Sequence, residues 1–260
     1  MNKSIINDFK PMPKSLVSER KPIIVGHRGA LDLAPENTIP AFEAALNARA
    51  DGVEFDVQRT VDGHLVVFHD EDVDRVSDGT GMMPQMTLAE LQALDVGLFF
   101  DERFRGTRIP TLIEFFDWAK GNELLLFLEL KEPYRYPGIE QQVADLIREY
   151  DLVDRLQVRS FYHAHLLQLH KIAPEIILSE LWLNHAPWQA EIVYSTVNLM
   201  YGLCTKYNIV QFHEWGRAVT AWVVDDLETA RQLKDWGIDE IVTNNPEHIL
   251  KIFDEPTKEE

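Results

Sequence analysis

Glu54 and Asp56 stand two residues apart in the run GVEFDVQRTVDGHLVVFHD, residues 52–70, and in a strand that spacing puts both carboxylates on one face. The run reads as a hairpin, because two alternating apolar stretches flank Asp62-Gly63, the strongest short-range signal for a two-residue turn. Such a turn sets the register: Arg59 faces Val66, Val57 faces Phe68, and Asp56 faces His69, which brings an imidazole to the two carboxylates. Carboxylates this close repel unless a cation, a raised pKa or open water relieves them. The patch therefore reads as a divalent-metal site with a histidine beside it. A third carboxylate, Glu129, ends the apolar run 124–128, where an unpaired charge is costly to bury, and Lys131 follows on the same face. Three oxygen ligands and no cysteine among them favour one hard divalent cation, Mg²⁺ or Ca²⁺.

His27 closes another short apolar run, 22–26. Zinc would prefer more nitrogen or sulfur, so His27 and His69 suit proton transfer better than metal ligation. An imidazole has both forms available near neutrality, and each such transfer is typically worth about 10²–10⁴ in rate. Arg28 and Lys131 beside a metal make a cationic cradle, which is what a phosphate group needs, and the chemistry is then phosphoester cleavage. Trp222, near a later strand end, reads equally as a surface for stacking substrate or as packing. Taken singly, each residue has a plainer reading: His27 as a packing histidine, Glu54 and Asp56 as a solvated strand face, Arg28 as an ion-pair partner, Lys131 as the partner of Glu129. Their joint spacing favours the catalytic one.

Positioning these groups is the work of a repeating pattern. Strands are expected near 22–26, 53–59, 124–131, 156–160, 176–182, 197–200, 219–224 and 240–243, with 65–69 as the return arm of the hairpin. Helices are expected after Thr38 as N-cap to about 50, then at 112–120, 139–150, 162–172, weakly at 188–193, and at 203–215, 227–236 and 246–253. Eight strands, each followed by a helix, predict an α/β fold, a (β/α)8 TIM barrel, which typically takes about 250 residues and builds its site from strand C-terminal ends. An open doubly wound sheet is disfavoured because no G-x-G-x-x-G opens the first helix. Residues 70–110 are long for a connection and read as a small insertion after strand two, a cap or lid with one helix near 88–94. Residues 1–21 read as an N-terminal arm, 22–253 as the barrel and 254–260 as a tail.

Charge narrows the partners. The 260 residues include 43 acidic and 25 basic ones, a net charge of −18, which argues against nucleic acid or an anionic bilayer as partner. Hydrophobic residues make up 45% of the chain, enough for a large core. The single cysteine, Cys204, excludes an internal disulfide and fits a reducing compartment. Residues 1–21 carry no apolar stretch like that of a signal peptide, and the run 124–128 is far too short to cross a bilayer. The expectation is a cytoplasmic protein without stable membrane insertion. The oligomeric state stays open, a homodimer included.

His27-Arg28-Gly29, Pro35-Glu36-Asn37-Thr38, Glu54-x-Asp56, Thr60-x-Asp62-Gly63, His69-Asp70 and Glu129-x-Lys131, in this order and spacing, resemble the glycerophosphodiester phosphodiesterase family. Weaker echoes follow in Ser160-Phe161, Trp222 and Thr243-Asn244-Asn245-Pro246, so the resemblance covers roughly residues 22–253. It implies a (β/α)8 barrel with an insertion after strand two, and hydrolysis of a small glycerophosphodiester to sn-glycerol 3-phosphate and an alcohol. It also implies Glu54, Asp56 and Glu129 as metal ligands, His27 and His69 as general acid and base, and Arg28 and Lys131 on phosphate. Two departures concern the alcohol pocket: the family usually has Thr-Asp-x-Pro where this chain has Asn244, and Trp-Thr-Val-Asn where it has Trp222-Val223-Val224-Asp225. Which histidine is base, and whether water or the glycerol 2-hydroxyl attacks, stay open. Two other readings also stay open: a lysophospholipase D, which apolar residues at the barrel mouth would favour, and a metal- or phosphate-binding protein without turnover, which the paired histidines oppose. An amidohydrolase-type barrel would need His-x-His on strand one, where Gly29 takes the second place.

Overall fold

The computed structural model describes residues 22–189 and 192–253; the arm and the tail expected at 1–21 and 254–260 lie outside these. Among the described residues nine strands form one sheet. They are β1 (Ile23–Gly26), β2 (Gly52–Arg59), β3 (Leu65–Val67), β4 (Leu125–Leu130), β5 (Leu156–Ser160), β6 (Ile177–Trp182), β7 (Thr196–Met200), β8 (Ala218–Trp222) and β9 (Glu240–Thr243). All but β3 pair in parallel with their neighbours, and β1 pairs with both β2 and β9, so eight strands close into the expected (β/α)8 barrel. β3 hangs antiparallel on β2 as the hairpin arm.

Strand periodicity divides the side chains. Val53, Phe55 and Val57 of β2 and Leu126, Leu128 and Leu130 of β4 face the surrounding helices, where they join Phe42, Phe115 and Phe116 in the largest apolar cluster. The intervening positions face the barrel interior, which is polar along much of its height: Gln157, Arg159, Ser179, Asn198, Thr220 and Glu240 are all buried. Arg159 donates to Glu240 at 2.6 Å and to Gln157 at 2.7 Å, and its guanidinium lies 4.0 Å over the Phe127 ring. That pairing is what lets a charge sit inside the barrel. Ile23, Val25, Phe127 and Val242 pack as an apolar layer in the same interior.

The helices are α1 (Ile39–Asn47), α2 (Leu88–Gln92), α3 (Leu112–Ala119), α4 (Ile139–Glu149), α5 (His163–Ile172), α6 (Lys206–Glu214), α7 (Leu227–Asp235) and α8 (Pro246–Ile249). Thr38 caps α1 as expected, and Thr111 with Glu114 forms a capping box on α3. Phe115 stacks 4.6 Å from Phe42 and 4.1 Å from Phe55, which seats α1 and α3 on β2.

Two expectations need correction. The helix expected at 188–193 is absent among the described residues: 188, 189, 192 and 193 carry no helix, and the segment is short, with no Ser, Thr, Asp or Asn immediately before it to cap a helix start at 188. The hairpin turn spans three residues rather than two. Thr60 accepts at Oγ1 from His64 N, Thr60 N donates to His64 O, and Gly63 takes φ 92, so Val61, Asp62 and Gly63 form the loop. The register therefore slips by one, to Val57↔Val67, Gln58↔Val66 and Arg59↔Leu65. Phe68, not His69, then stands across from Asp56, with Phe68 N donating to Asp56 O at 3.0 Å.

The insertion packs rather than projecting freely. It carries α2 and short 3₁₀ turns at Met83–Gln85 and Glu102–Phe104, and its Val73, Met83, Leu91, Val96 and Ile109 share a small core with Val66 and Phe68 of the hairpin. No helix among the described residues is long and apolar enough to cross a membrane.

Candidate active site

The three carboxylates come together through register. Asp56 on β2 stands directly across from Glu129 on β4, and Glu54 lies one pleat below Asp56 on the same face. Their ligand oxygens all lie within 4.8 Å of one another. Lys131 Nζ sits 2.9 Å from Glu129 Oε1 and 3.8 Å from Asp56 Oδ1, and Arg28 Nε is 3.5 Å from Asp56 Oδ2. Asn37 clamps Asp56 from outside, donating to Oδ2 at 2.8 Å and accepting from its backbone N–H at 3.2 Å.

Two cations against three acids, Glu54 and Asp56 buried and Glu129 mostly so, leave the cluster short of positive charge. Burial first, then repulsion from Asp56 and Glu129, pushes Glu54 well above the usual carboxylate range. Burial raises Glu129 as well, only partly countered by Lys131. Asp56 goes the other way: burial would raise it, but Arg28 and then Lys131 outweigh that and hold it at about 2. A set of hard oxygen donors that cannot all ionise comfortably is what a divalent cation would satisfy, so these residues fit one.

The β1–α1 turn delivers His27 and Arg28. Gly26 must be glycine, since a Cβ would come within 2.1 Å of Gly29 O, and Arg28 itself takes a left-handed φ of 50. That conformation points Arg28 N at Glu54 Oε2, 3.0 Å away. His27 Nδ1 lies 2.7 Å from Asn244 Oδ1. Burial, reinforced by Arg28, lowers His27 to about 4, so it is neutral at pH 7.

His69 arrives past the end of the hairpin ladder, held through its backbone. Gln58 Nε2 lies 3.0, 2.9 and 2.9 Å from the carbonyls of Phe68, His69 and Asp70, and Gln58 Oε1 accepts from Tyr136 at 2.9 Å. His69 Nδ1 is 2.6 Å from Asp70 Oδ1. Arg75, from the insertion, donates to Asp70 Oδ2 at 2.6 Å and to both oxygens of Glu36 at 2.7 and 2.8 Å, and Glu36 in turn accepts from Arg28 at 2.7 Å. One arginine thus braces the carboxylate behind His69 and the carboxylate behind Arg28.

These residues open onto one cavity of about 270 Å³. Its lining combines polar groups, His27, Arg28, Glu54, His69, Glu129, Lys131 and the Glu240-paired Arg159, with the apolar Phe161, Leu181, Trp222, Val223 and Val242. Asp56, 1% exposed, lies beneath within the carboxylate cluster. Trp222 meets Phe161 edge-on at 5.7 Å. Every residue singled out from sequence therefore falls at one end of the barrel. Gln58, Arg75 and Asp70 were not among the roles assigned from sequence. Gln58 had a signal, since it continues the Glu54, Asp56 face of β2; Arg75, half exposed in an irregular segment, had none.

The sequence profile of the glycerophosphoryl diester phosphodiesterase family matches residues 27–248. A glycerophosphodiester phosphodiesterase of Caldanaerobacter subterraneus subsp. tengcongensis is 36% identical over 238 residues, covering 89% of this chain and 98% of the relative. One from Bacillus altitudinis is 33% identical over 243 residues, covering 89% and 98%. Among solved structures, a phosphodiesterase of Oleispira antarctica in complex with the product sn-glycerol 3-phosphate superimposes with a TM-score of 0.81 at 27% identity, covering 90% of this chain and 97% of that one. A glycerophosphodiester phosphodiesterase of Agrobacterium tumefaciens gives 0.77 at 30% identity, covering 88% and 98%. With barrel, cavity and relatives in agreement, the chain belongs to the glycerophosphoryl diester phosphodiesterase family.

Proposed function

We propose that this enzyme hydrolyses glycerophosphodiesters to sn-glycerol 3-phosphate and an alcohol, with His27 and His69 as the acid/base pair and one divalent cation, Mg²⁺ or Ca²⁺, held by Glu54, Asp56 and Glu129. The observation that carries this reading is the shared cavity: two imidazoles, two cations and three clustered carboxylates line or underlie one space of about 270 Å³. The product complex of the Oleispira antarctica relative supports the glycerol 3-phosphate half. When bound, the cation supplies positive charge to the phosphoryl oxygens. Arg28 and Lys131 orient the phosphate and balance its charge, a local cationic pocket on an acidic protein. The apolar wall of Phe161, Leu181 and Trp222 excludes water from the leaving alcohol's side. The lone, buried Cys204 supports a reducing, cytoplasmic setting.

A second reading, lysophospholipase D, is favoured by one observation. Four neighbouring strand ends present apolar side chains at the mouth: Phe161 after β5, Leu183 after β6, Tyr201 after β7 and Trp222 ending β8, the first three exposed. An assay coupled to glycerol 3-phosphate release from glycerophosphocholine, run beside choline release from lysophosphatidylcholine, separates the two. EDTA should abolish turnover and Mg²⁺ or Ca²⁺ restore it. Full activity in EDTA removes the cation from the reaction, and parental activity in both His27→Ala and His69→Ala removes the acid/base pair.

A further inference from the structure

Asp225, an exposed residue on the loop after β8 that is not among the cavity-lining residues, closes a hydrogen-bond chain that ends on His27. Its Oδ1 accepts from Thr243 Oγ1 at 3.0 Å and from the backbone N–H of Asn244 at 2.8 Å; its Oδ2 accepts from Asn244 Nδ2 at 2.7 Å. Thr243 Oγ1 accepts from Asn245 N at 3.2 Å, which leaves its single hydrogen for Asp225. An ionised carboxylate can only accept, so the Asn244 atom facing it must be the amide nitrogen. The amide oxygen is then turned to His27 Nδ1, 2.7 Å away, and an oxygen without a proton forces that ring nitrogen to be the donor.

We infer that Asp225 and Asn244 are positioning residues that lock His27 in its Nδ1-protonated tautomer, leaving the Nε2 lone pair as the proton acceptor in the cavity. The role given to His27 in the reaction rests on the function proposed above; the tautomer does not. In the reaction, His27 Nε2 takes the proton of the attacking hydroxyl, whether of water or of the glycerol, as its oxygen bonds to phosphorus. His69 gives a proton to the alkoxide oxygen as the phosphorus–oxygen bond to the alcohol breaks. The two histidines are distinguished by their Nδ1 partners, a neutral amide for His27 and the Asp70 carboxylate for His69. The low pKa of His27 agrees with a ring that enters the cycle neutral.

The lock makes an unusual demand on isosteric variants. In Asp225→Asn one oxygen remains, and the backbone N–H of residue 244 requires it. The new NH₂ then faces Asn244, whose amide must turn over and offer its own NH₂ to His27 Nδ1, moving the ring proton to Nε2. The reciprocal exchange, Asp225→Asn with Asn244→Asp, restores the order of donors and acceptors: residue 225 donates to the residue 244 carboxylate, and that carboxylate accepts from Nδ1.

Long-range ¹H–¹⁵N correlation spectra of the imidazoles in the full chain, with His27 assigned by its loss in His27→Gln, read the tautomer directly. The expected result is Nδ1–H in the parent, Nε2–H in Asp225→Asn with turnover lowered by about 10² and KM little changed, and Nδ1–H again in the double variant with at least about tenfold of that loss recovered. Nδ1–H persisting in Asp225→Asn, or Nε2–H in the parent, overturns the lock. An inverted tautomer with parental turnover keeps the lock and overturns the catalytic role of His27.

Discussion

Replacing Gln58 with Met tests whether His69 is placed by its backbone rather than by its ring. Gln58 is 1% exposed and sits where three carbonyls of the segment 68–70 converge on one amide nitrogen, all at 2.9–3.0 Å. Methionine fills a similar volume without a donor or a strong acceptor. The Phe68 carbonyl and the Tyr136 hydroxyl belong to residues each 3% exposed, so water replaces neither partner readily, whereas the carbonyls of His69 and Asp70 are nearer the surface. Two buried polar groups left unpaired at about 1–3 kcal/mol each give roughly 2–6 kcal/mol of destabilisation. For a chain of this size, at about 2–4 °C per kcal/mol, that lowers Tm by roughly 4–24 °C. Turnover should fall further than unfolding explains, because a misplacement of about 1 Å at a catalytic group can cost on the order of 10². Thermal melts give the first quantity, and kcat measured well below the melting transition gives the second. A Gln58→Met enzyme with parental kcat there would show that His69 finds its place without this amide, and an unchanged Tm would show that the buried groups find other partners.

Arg75→Ala should lower kcat by roughly tenfold to a hundredfold by releasing Glu36 and Asp70 together, and millimolar guanidinium should restore part of it; an Arg75→Ala enzyme with full activity refutes the brace. His27, lowered to about 4 by burial, stays neutral in the fold while the unfolded chain takes up a proton below about 6.5, so the stability it confers is complete above that pH and is lost as pH falls toward 4. Urea unfolding should therefore show the parent losing up to about 3 kcal/mol relative to His27→Gln between pH 7 and pH 4. Glu54 and Glu129 have raised folded values, so in metal-free protein their contribution is fully present below the unfolded carboxylate pKa and is lost as pH rises through the folded one. The Tm gain from Mg²⁺ or Ca²⁺ should accordingly grow from pH 5 to pH 7, and a gain independent of pH would place the ion elsewhere.

The ends of β1 and β4 were legible in the sequence because those two strands are apolar until they reach the site. Glu129 stood out for that reason, and the parallel register that sets it across from Asp56 follows once the barrel is closed. Polar residues deeper in the strands were harder to read. Arg159 and Glu240 look like surface residues in one dimension, and only the closed barrel puts them 2.6 Å apart. The hairpin shows how a local rule can fail: Asp62-Gly63 marks a two-residue turn, but the Thr60 hydroxyl takes the His64 N–H and widens it by one. His69 nevertheless reaches the cavity, because Gln58 holds the segment beyond the last ladder bond, where strand register no longer dictates direction. Arg75 lay beyond reach for a related reason: its partners Glu36 and Asp70 belong to different loops, and no periodicity connects them.

The division of the cavity into a charged and an apolar side follows from the order of strands around the barrel. β1, β2 and β4 are neighbours, so the groups they carry, His27, Arg28, Glu54, Asp56, Glu129 and Lys131, necessarily occupy one sector. Phe161 after β5, Leu181 near the end of β6 and Trp222 ending β8 occupy the opposite one, together with the Glu240-paired Arg159. On the proposed function, a phosphodiester spanning the cavity is oriented before any specific contact to its alcohol is made: the cations Arg28 and Lys131 stand on the first sector, whereas Arg159 on the second is already paired with Glu240, and an apolar leaving group gains by desolvation there. The net charge of −18 sharpens this for a net-anionic ester, which the protein as a whole repels while Arg28 and Lys131 offer it local positive charge in the cavity. Neutralising Lys131 as Lys131→Met should therefore raise KM for a net-anionic diester such as glycerophosphoglycerol more at low ionic strength, where that repulsion is least screened, than at high; an equal rise at both would mean that Lys131 acts by holding Glu129 rather than by meeting the phosphate.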